Sequence, residues 1–201
     1  MVYVRGENPV SPEISREPVI QKEPVLKKKV PSIVGVELRH VINGVMAGWI
    51  GQNAVNISII EKDTLASFKG QVGQSDINLS QSCHGKGWVI SGAINTPRGS
   101  IRVKIDLTGP VGSRHMKGWI GEKHFYVNEI ASDDGMTELK GRYFSWNIYL
   151  NYQDSDGNLS LRGTLSNTGD ETRTIDIEGS QNPPDAKMNY AGILPAIVLA
   201  I

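Results

Sequence analysis

The sequence predicts an all-β fold, an antiparallel meander of six β-hairpin repeats closed as a barrel or a curved sheet, with a buried apolar C-terminal segment. Three observations lead to this expectation. A short unit centred on glycine recurs six times, a second run of alternating apolar and polar residues follows these units, and the chain carries no charge after Lys187. With one extra strand ahead of the hairpins, the sheet has about 12–13 strands.

The first 32 residues differ in composition from the rest. Five prolines are spread through them among many charges, and proline neither continues a helix nor donates a hydrogen bond to a sheet. We therefore expect an extended arm or linker at 1–32, a β-hairpin repeat domain at 33–180, and a linker with the apolar C-terminal segment at 181–201. The extra strand is expected at "GVELRH" (35–40). The Lys27–Lys29 run is typical of a solvated segment, and contact with an acidic surface is the alternative.

The repeating unit has one apolar residue two positions before a glycine and another two positions after it. Its six copies are "MAGWI" (46–50), "FKGQV" (68–72), "ISGAI" (90–94), "MKGWI" (116–120), "LKGRY" (139–143) and "LRGTL" (161–165). Their glycines are Gly48, Gly70, Gly92, Gly118, Gly141 and Gly163, spaced by 22, 22, 26, 23 and 22 residues. All twelve flanking positions are apolar in a chain with 39% apolar residues, so chance does not explain the pattern.

Each of these glycines shares a face of its strand with its two apolar neighbours, because side chains alternate between the faces of a sheet. That face is the one expected to be buried. An inward glycine lets a strand coil enough to close a sheet, and it also lets another piece of backbone approach closely. We therefore assign the six glycines to sheet curvature and to making room for the C-terminal segment, with curvature alone as the alternative.

A second run follows each unit after a short polar or glycine-containing turn. Its copies are "VNISI" (55–59), "INLS" (77–80), "IRVKIDL" (101–107), the irregular "FYVNEI" (125–130), "NIYLNY" (147–152) and "TIDIE" (174–178). Strict alternation is typical of a half-buried antiparallel strand. Turn sequences such as "EKDT", "TGPVGS" and "DSDG" separate the repeats, which predicts consecutive hairpins.

The last segment, residues 188–201, is apolar on all sides. Such a segment is either a membrane span or fully buried. It is shorter than the about 20 residues that a bilayer requires, so we expect no transmembrane span. A barrel of twelve strands is wider than the about eight strands that its own side chains fill, so the segment is expected to pack on or in the sheet. Pro195 permits a short helix but not one uninterrupted helix.

This architecture resembles the Tubby-like barrel, the family of Tubby and the phospholipid scramblases. The resemblance rests on a meander of twelve strands closed around a hydrophobic C-terminal segment, and it covers residues 34–201. It implies binding of a phosphoinositide or another lipid, and it implies no catalytic residues.

The bulk composition is balanced, with 21 basic and 21 acidic residues, and does not indicate a nucleic-acid partner. A single cysteine, Cys83, excludes an internal disulfide framework. The opening residues, "MVYVRGENPV", lack the apolar run of a signal peptide, so we expect a cytoplasmic protein.

Sequence signals for catalysis and for cofactors are weak. The four histidines form neither an HxH nor an HExxH pair, so no metal site and no cofactor are predicted. Cys83 and His84 lie in "SCHGKG", which we interpret as a turn rather than a nucleophile–base pair. "YQDSDGN" resembles a calcium loop through Asp154 and Asp156, but Tyr152 stands where the first carboxylate should be, which favours a hairpin turn.

The outward face of the repeats carries the strongest functional pattern. Residues next to the repeat glycines point to solvent, and in neighbouring hairpins several of them are basic or aromatic. The predicted binding residues are Lys117, Trp119, Lys140, Arg142, Tyr149 and Arg162. Aromatic rings beside cations suit phosphate head groups, acidic glycans or a protein partner. An ordinary solvated sheet face is the alternative.

These patterns favour a non-enzymatic binding or structural protein whose outer face takes an anionic ligand, a lipid head group, a glycan or a protein. The second hypothesis is a self-assembling filament or coat subunit, in which the N-terminal arm and the apolar tail dock into a neighbour. The third is an enzyme with a pocket inside the barrel, which is the least favoured because the inward repeat positions are almost all aliphatic.

Overall fold

The structure is a computed structural model that describes residues 41–85, 87–132, 135–186 and 190–200. The predicted arm at 1–32 and the predicted extra strand at 35–40 lie outside the described residues.

Twelve antiparallel strands form one closed barrel. They are β1 (Val41–Ile50), β2 (Asn53–Lys62), β3 (Leu65–Val72), β4 (Ser75–His84), β5 (Gly87–Thr96), β6 (Gly99–Thr108), β7 (His115–Ile120), β8 (Lys123–Ala131), β9 (Met136–Tyr143), β10 (Trp146–Ser155), β11 (Asn158–Asn167) and β12 (Thr172–Asn182). Each strand pairs with the next one along the chain, and β12 pairs back with β1. The predicted fold class is confirmed, and the sheet closes as a barrel.

The two ends of the barrel differ in what they carry. One end, the hairpin rim, holds the turns that join the two strands of each repeat. The other end, the linker rim, holds the connections between repeats and the segment that follows β12. Along each strand, alternation separates the core from the solvent: in β6, Val103, Ile105 and Leu107 are buried while Arg102 and Lys104 are exposed.

The six repeat glycines occupy the odd-numbered strands and lie against the even-numbered strand that precedes each of them. A Cβ atom on any of them would come closer than 3.0 Å to a backbone carbonyl oxygen of that strand, which is the oxygen of Lys104 for Gly118. Gly48 approaches Asp176 of β12 in the same way, so the closing seam repeats the contact found inside the sheet. The glycines therefore make room for the neighbouring strand, not for the C-terminal segment as expected.

The C-terminal segment is buried inside the barrel, which is one of the two placements, on or in the sheet, that the sequence left open. A 3₁₀ turn at Ala191–Ile193 leads into α1 (Leu194–Leu199), with Pro195 in the first turn of the helix. Every residue from 190 to 198 is buried. The close approach occurs at the segment's own glycine, Gly192, where a Cβ would overlap the ring of Phe68.

Polar contacts hold the far end of this segment at the hairpin rim. The carbonyl oxygen of Ala200 accepts hydrogen bonds from Asn53 Nδ2 at 2.8 Å and from Arg173 Nη1 at 2.9 Å. These bonds satisfy a carbonyl that the short helix leaves unpaired at its C-terminus. Across the described ranges, no helix has the length and apolar character needed to cross a membrane.

Candidate functional site

Five of the six predicted binding residues lie on one outer surface, which spans β7 to β10. The strand register places Lys117 and Arg142 on either side of Tyr126. Lys140 follows on β9 and lies opposite Tyr149 of β10. We call this surface the basic–aromatic face and define it by Lys117, Trp119, Lys123, His124, Tyr126, Lys140, Arg142, Phe144 and Tyr149.

A row of rings borders this face at the hairpin rim. Trp119 and His124 pack edge to face with ring centroids 5.2 Å apart. Phe144 lies beside them, because its amide nitrogen donates a hydrogen bond to the carbonyl oxygen of His124 at 3.2 Å. The Lys123 ammonium stands 4.8 Å from the centroid of the Phe144 ring, a cation–π distance. Rings and cations therefore alternate across neighbouring strands.

The rings on this face are open to solvent. Trp119 is 54% exposed, Tyr126 38%, Phe144 61% and Tyr149 52%. The other strongly exposed aromatic side chain among the described residues is Trp49 on β1. Aromatic side chains are enriched at binding surfaces, and four on adjacent strands form a patch rather than isolated exposures.

Two cations in the middle of the face are uncompensated. Neither Lys117 nor Arg142 forms an ion pair with any residue that the structure describes. Asp106 lies opposite Lys117 on β6 but makes no ion pair with it. Lys140 is bonded to Glu138 at 2.5 Å, and both side chains remain substantially exposed. The face is therefore positively charged between its rings.

Phe144 is a residue of this face that the sequence reasoning missed. It stands three positions after a repeat glycine, in the turn between β9 and β10, and has φ +52°. In three other repeats the same position is a glycine with φ between +57° and +62°: Gly51, Gly73 and Gly121. The left-handed conformation costs a non-glycine residue roughly 1–2 kcal/mol. Comparing the third residue after the glycine in all six units would have revealed that Phe144 replaces a glycine.

Arg162, the sixth predicted residue, is engaged elsewhere. It lies on β11, and its guanidinium bonds Asp176 at 2.9 Å and Glu178 at 2.5 Å on β12. These carboxylates, Asp176 first, raise the pKa of Arg162. Its charge is therefore compensated, in contrast to those of Lys117 and Arg142.

The structure does not gather the residues that gave weak catalytic signals in the sequence into one site. Cys83 and His84 are the exposed last residues of β4, paired with β5, and do not form the predicted turn. Asp156 lies in the β10–β11 turn, as expected. Among the residues described, no three His, Cys, Asp or Glu side chains are grouped so that they could hold a metal ion.

A second concave feature lies at the linker rim, where the C-terminal segment enters the barrel. It is a cleft of about 690 Å³, and its described lining includes Trp88, Arg114, Glu129, Tyr152 and Tyr190. Arg114 and Glu129 form a buried two-point ion pair, and Glu129 also accepts a hydrogen bond from the amide of Gly112 at 3.0 Å.

Aromatic rings complete the floor of this cleft. The Arg114 guanidinium lies 5.3 Å from the centroid of the Tyr190 ring, and Tyr152 stacks on Tyr190 at 3.9 Å. Burial opposes ionisation of Glu129, but the hydrogen bond and charge of Arg114 outweigh it and lower the pKa of the carboxyl group. Burial raises the pKa of both tyrosines, which stay neutral at physiological pH. Arg114 and Glu129 thus compensate each other's charge in this part of the lining.

No protein-family model, curated protein or solved structure matches this chain.

Proposed function

We propose that this protein is a non-enzymatic binding domain that docks on an anionic membrane surface through the basic–aromatic face. The observation that carries the proposal is the alternation of uncompensated cations, Lys117 and Arg142, with exposed rings on adjacent strands. Cations next to a membrane are attracted to anionic head groups, and amphipathic aromatic side chains favour the interface between head groups and acyl chains.

Phe144 favours a membrane over a purely polar ligand. A phenylalanine that is 61% exposed, in a turn conformation that disfavours it, gains most from a surface with apolar depth. Trp119 lies in the same row of rings, so both side chains would insert together while Lys117 and Arg142 contact phosphates. Lipid binding is also what the resemblance to the Tubby-like barrel implies.

The alternatives have less support. Self-assembly through the apolar tail would require residues 190–198 to leave the barrel, in which they are buried. An enzyme with its pocket inside the barrel would need lumen space that α1 and the 3₁₀ turn occupy. Both observations favour the outer face as the place where function resides.

Vesicle binding tests the proposal with the full chain. We expect co-sedimentation with vesicles in which about a third of the lipid is phosphatidylserine, and little with pure phosphatidylcholine. Replacing Lys117 and Arg142 by serine removes two charges worth about 1 kcal/mol each at a membrane. Binding should therefore weaken about 30-fold.

Arg162→Ser is the matched control, because it removes an exposed arginine whose charge is already compensated. Equal loss of binding in this control would contradict the assignment of the face. Binding to a sulfated polysaccharide but not to anionic vesicles would replace the membrane by a glycan and overturn the proposal.

A further inference from the structure

The cleft at the linker rim is separate from the basic–aromatic face and has a different chemistry. Its volume of about 690 Å³ falls within the range of small-molecule sites. Its described lining includes the rings of Trp88 and Tyr152 and the aliphatic side chains of Val111 and Pro184. The lining also carries six charged side chains, which are Glu61, Arg114, Glu129, Asp154, Asp156 and Asp185, so a ligand would meet both rings and charges.

The Tyr152 hydroxyl is a buried polar group of the lining that has no hydrogen-bond partner among the described residues. Tyr152 is 6% exposed, and its hydroxyl makes no hydrogen bond with any described residue. A buried hydroxyl without a partner is costly, and such groups in native proteins call for an explanation. Tyr152 lines the cleft and its hydroxyl is covered in the unbound protein, so a bound molecule with a hydrogen-bonding group would have to displace the covering side chains to satisfy it.

The charges of the lining determine whether the cleft favours a cationic or an anionic molecule. Arg114 is the only described cation of the lining, and it is already paired with Glu129, so it offers no attraction to an anion. Asp156 and Asp185 at the mouth are exposed and form no ion pair within the described part of the chain. The lining therefore disfavours an anion and favours a cation.

The aromatic rings of the lining also favour a cation. A cation gains energy over the face of an aromatic ring, and no described cation lies over the ring of Trp88 or Tyr152. We propose that the cleft is a binding site for a small organic ammonium ion with an apolar body. Its N–H groups would donate to the Tyr152 hydroxyl, its charge would face Asp156 and Asp185, and its body would lie against the rings.

Three probes of one shape and different charge test this proposal. Benzylamine is a cation near pH 7, benzyl alcohol is neutral and benzoate is an anion. Ligand-detected NMR with the full chain should show binding in the order benzylamine, benzyl alcohol, benzoate. Benzoate binding as tightly as benzylamine, or no binding of benzylamine at its highest usable concentration, would overturn the proposal.

Two variants locate the site. Tyr152→Phe removes one hydroxyl and should weaken benzylamine binding about tenfold, as expected for one lost hydrogen bond in a buried site. Replacing Asp156 and Asp185 by asparagine should weaken benzylamine but not benzyl alcohol. Thermal unfolding shows whether each variant is folded, and unchanged benzylamine binding in a folded Tyr152→Phe variant would contradict the site. Trp119→Ala should leave benzylamine binding unchanged, which separates the cleft from the basic–aromatic face.

Discussion

At the scale of single residues, one turn of the repeat carries a side chain that its backbone conformation disfavours. The turns that follow Gly48, Gly70 and Gly118 use glycine for their left-handed residue, and the turn that follows Gly141 uses Phe144. Glycine adopts this conformation without steric cost, whereas phenylalanine does not. A strained and exposed ring at this position is consistent with a role in binding.

Phe144→Gly should therefore separate stability from binding. Relief of the left-handed strain should raise the free energy of unfolding by about 1 kcal/mol, less a small loss from the Lys123 cation–π contact. The same change should weaken binding to anionic vesicles, because the inserted ring is lost. Chemical denaturation and vesicle co-sedimentation measure the two effects. A variant that is both less stable and fully competent to bind would contradict the role given to Phe144.

At the scale of elements, the strands are held in register by close backbone contact at the repeat glycines. At Gly118 a side chain is excluded by steric overlap alone. The φ of this residue lies outside the left-handed region, and an added Cβ would meet the carbonyl oxygen of Lys104. This oxygen belongs to a paired strand and cannot move away alone. The same close approach to a carbonyl oxygen recurs at all six glycines, so six of the twelve strand pairs contain one such contact.

Gly118→Ala should accordingly destabilise the barrel by about 3 kcal/mol, at the upper end for overpacking a rigid site. Gly169→Ala is the control, because the nearest atom to its added methyl group would be Asn167 Oδ1 at 3.4 Å. The control should change stability by less than about 1 kcal/mol in either direction. Urea denaturation compares the two variants. Equal free energies of unfolding for the two variants would show that the close contact between β6 and β7 does not require glycine at position 118.

At the scale of the whole molecule, stability depends on pH through the pair that lies under the cleft. The pKa of Glu129 is lower in the folded protein than its usual value of 4.5, because Arg114 outweighs the effect of burial. A carboxyl group with a depressed folded pKa stabilises the fold above its unfolded pKa, and this contribution is lost as pH falls through the folded pKa. Acid should therefore weaken the barrel at this pair.

Comparison with a variant that lacks both charges isolates this effect. We expect the free energy of unfolding of the native protein to fall more steeply between about pH 5 and 3 than that of the Arg114→Met, Glu129→Leu double variant. Glu129→Gln alone leaves Arg114 buried without its counter-charge and should cost about 3–5 kcal/mol near pH 7. Parallel pH profiles for the native protein and the double variant would contradict the depressed pKa.

Much of this molecule could be predicted from local periodicity. Alternation in stretches such as "IRVKIDL" and the repeat glycines predicted the strands, and the uncharged tail predicted a buried segment packed on or in the sheet. The outer face was predicted in part, because parity places Lys117, Trp119 and Arg142 outward. Phe144 was missed because a turn conformation is not visible in alternation.

The cleft could not be predicted from sequence because it forms only when the barrel closes. Arg114, which directly precedes β7, and Glu129 of β8 are 15 residues apart and meet only when the two strands pair. Tyr152 and Tyr190 come together through the path of the tail into the lumen. The compensation of Arg162 likewise depends on the register of β11 with β12, which sequence spacing alone does not define.

The two repeat tryptophans provide the most direct test of the basic–aromatic face. Trp49 and Trp119 follow the glycine in "MAGWI" and "MKGWI", and both are more than half exposed. Trp119 lies beside His124, whereas Trp49 lies between Ala54 and Asp176. In anionic-vesicle co-sedimentation, we expect Trp119→Ala to weaken binding about tenfold and Trp49→Ala to leave it unchanged. Equal effects of the two substitutions, or a loss confined to Trp49→Ala, would contradict the proposed face.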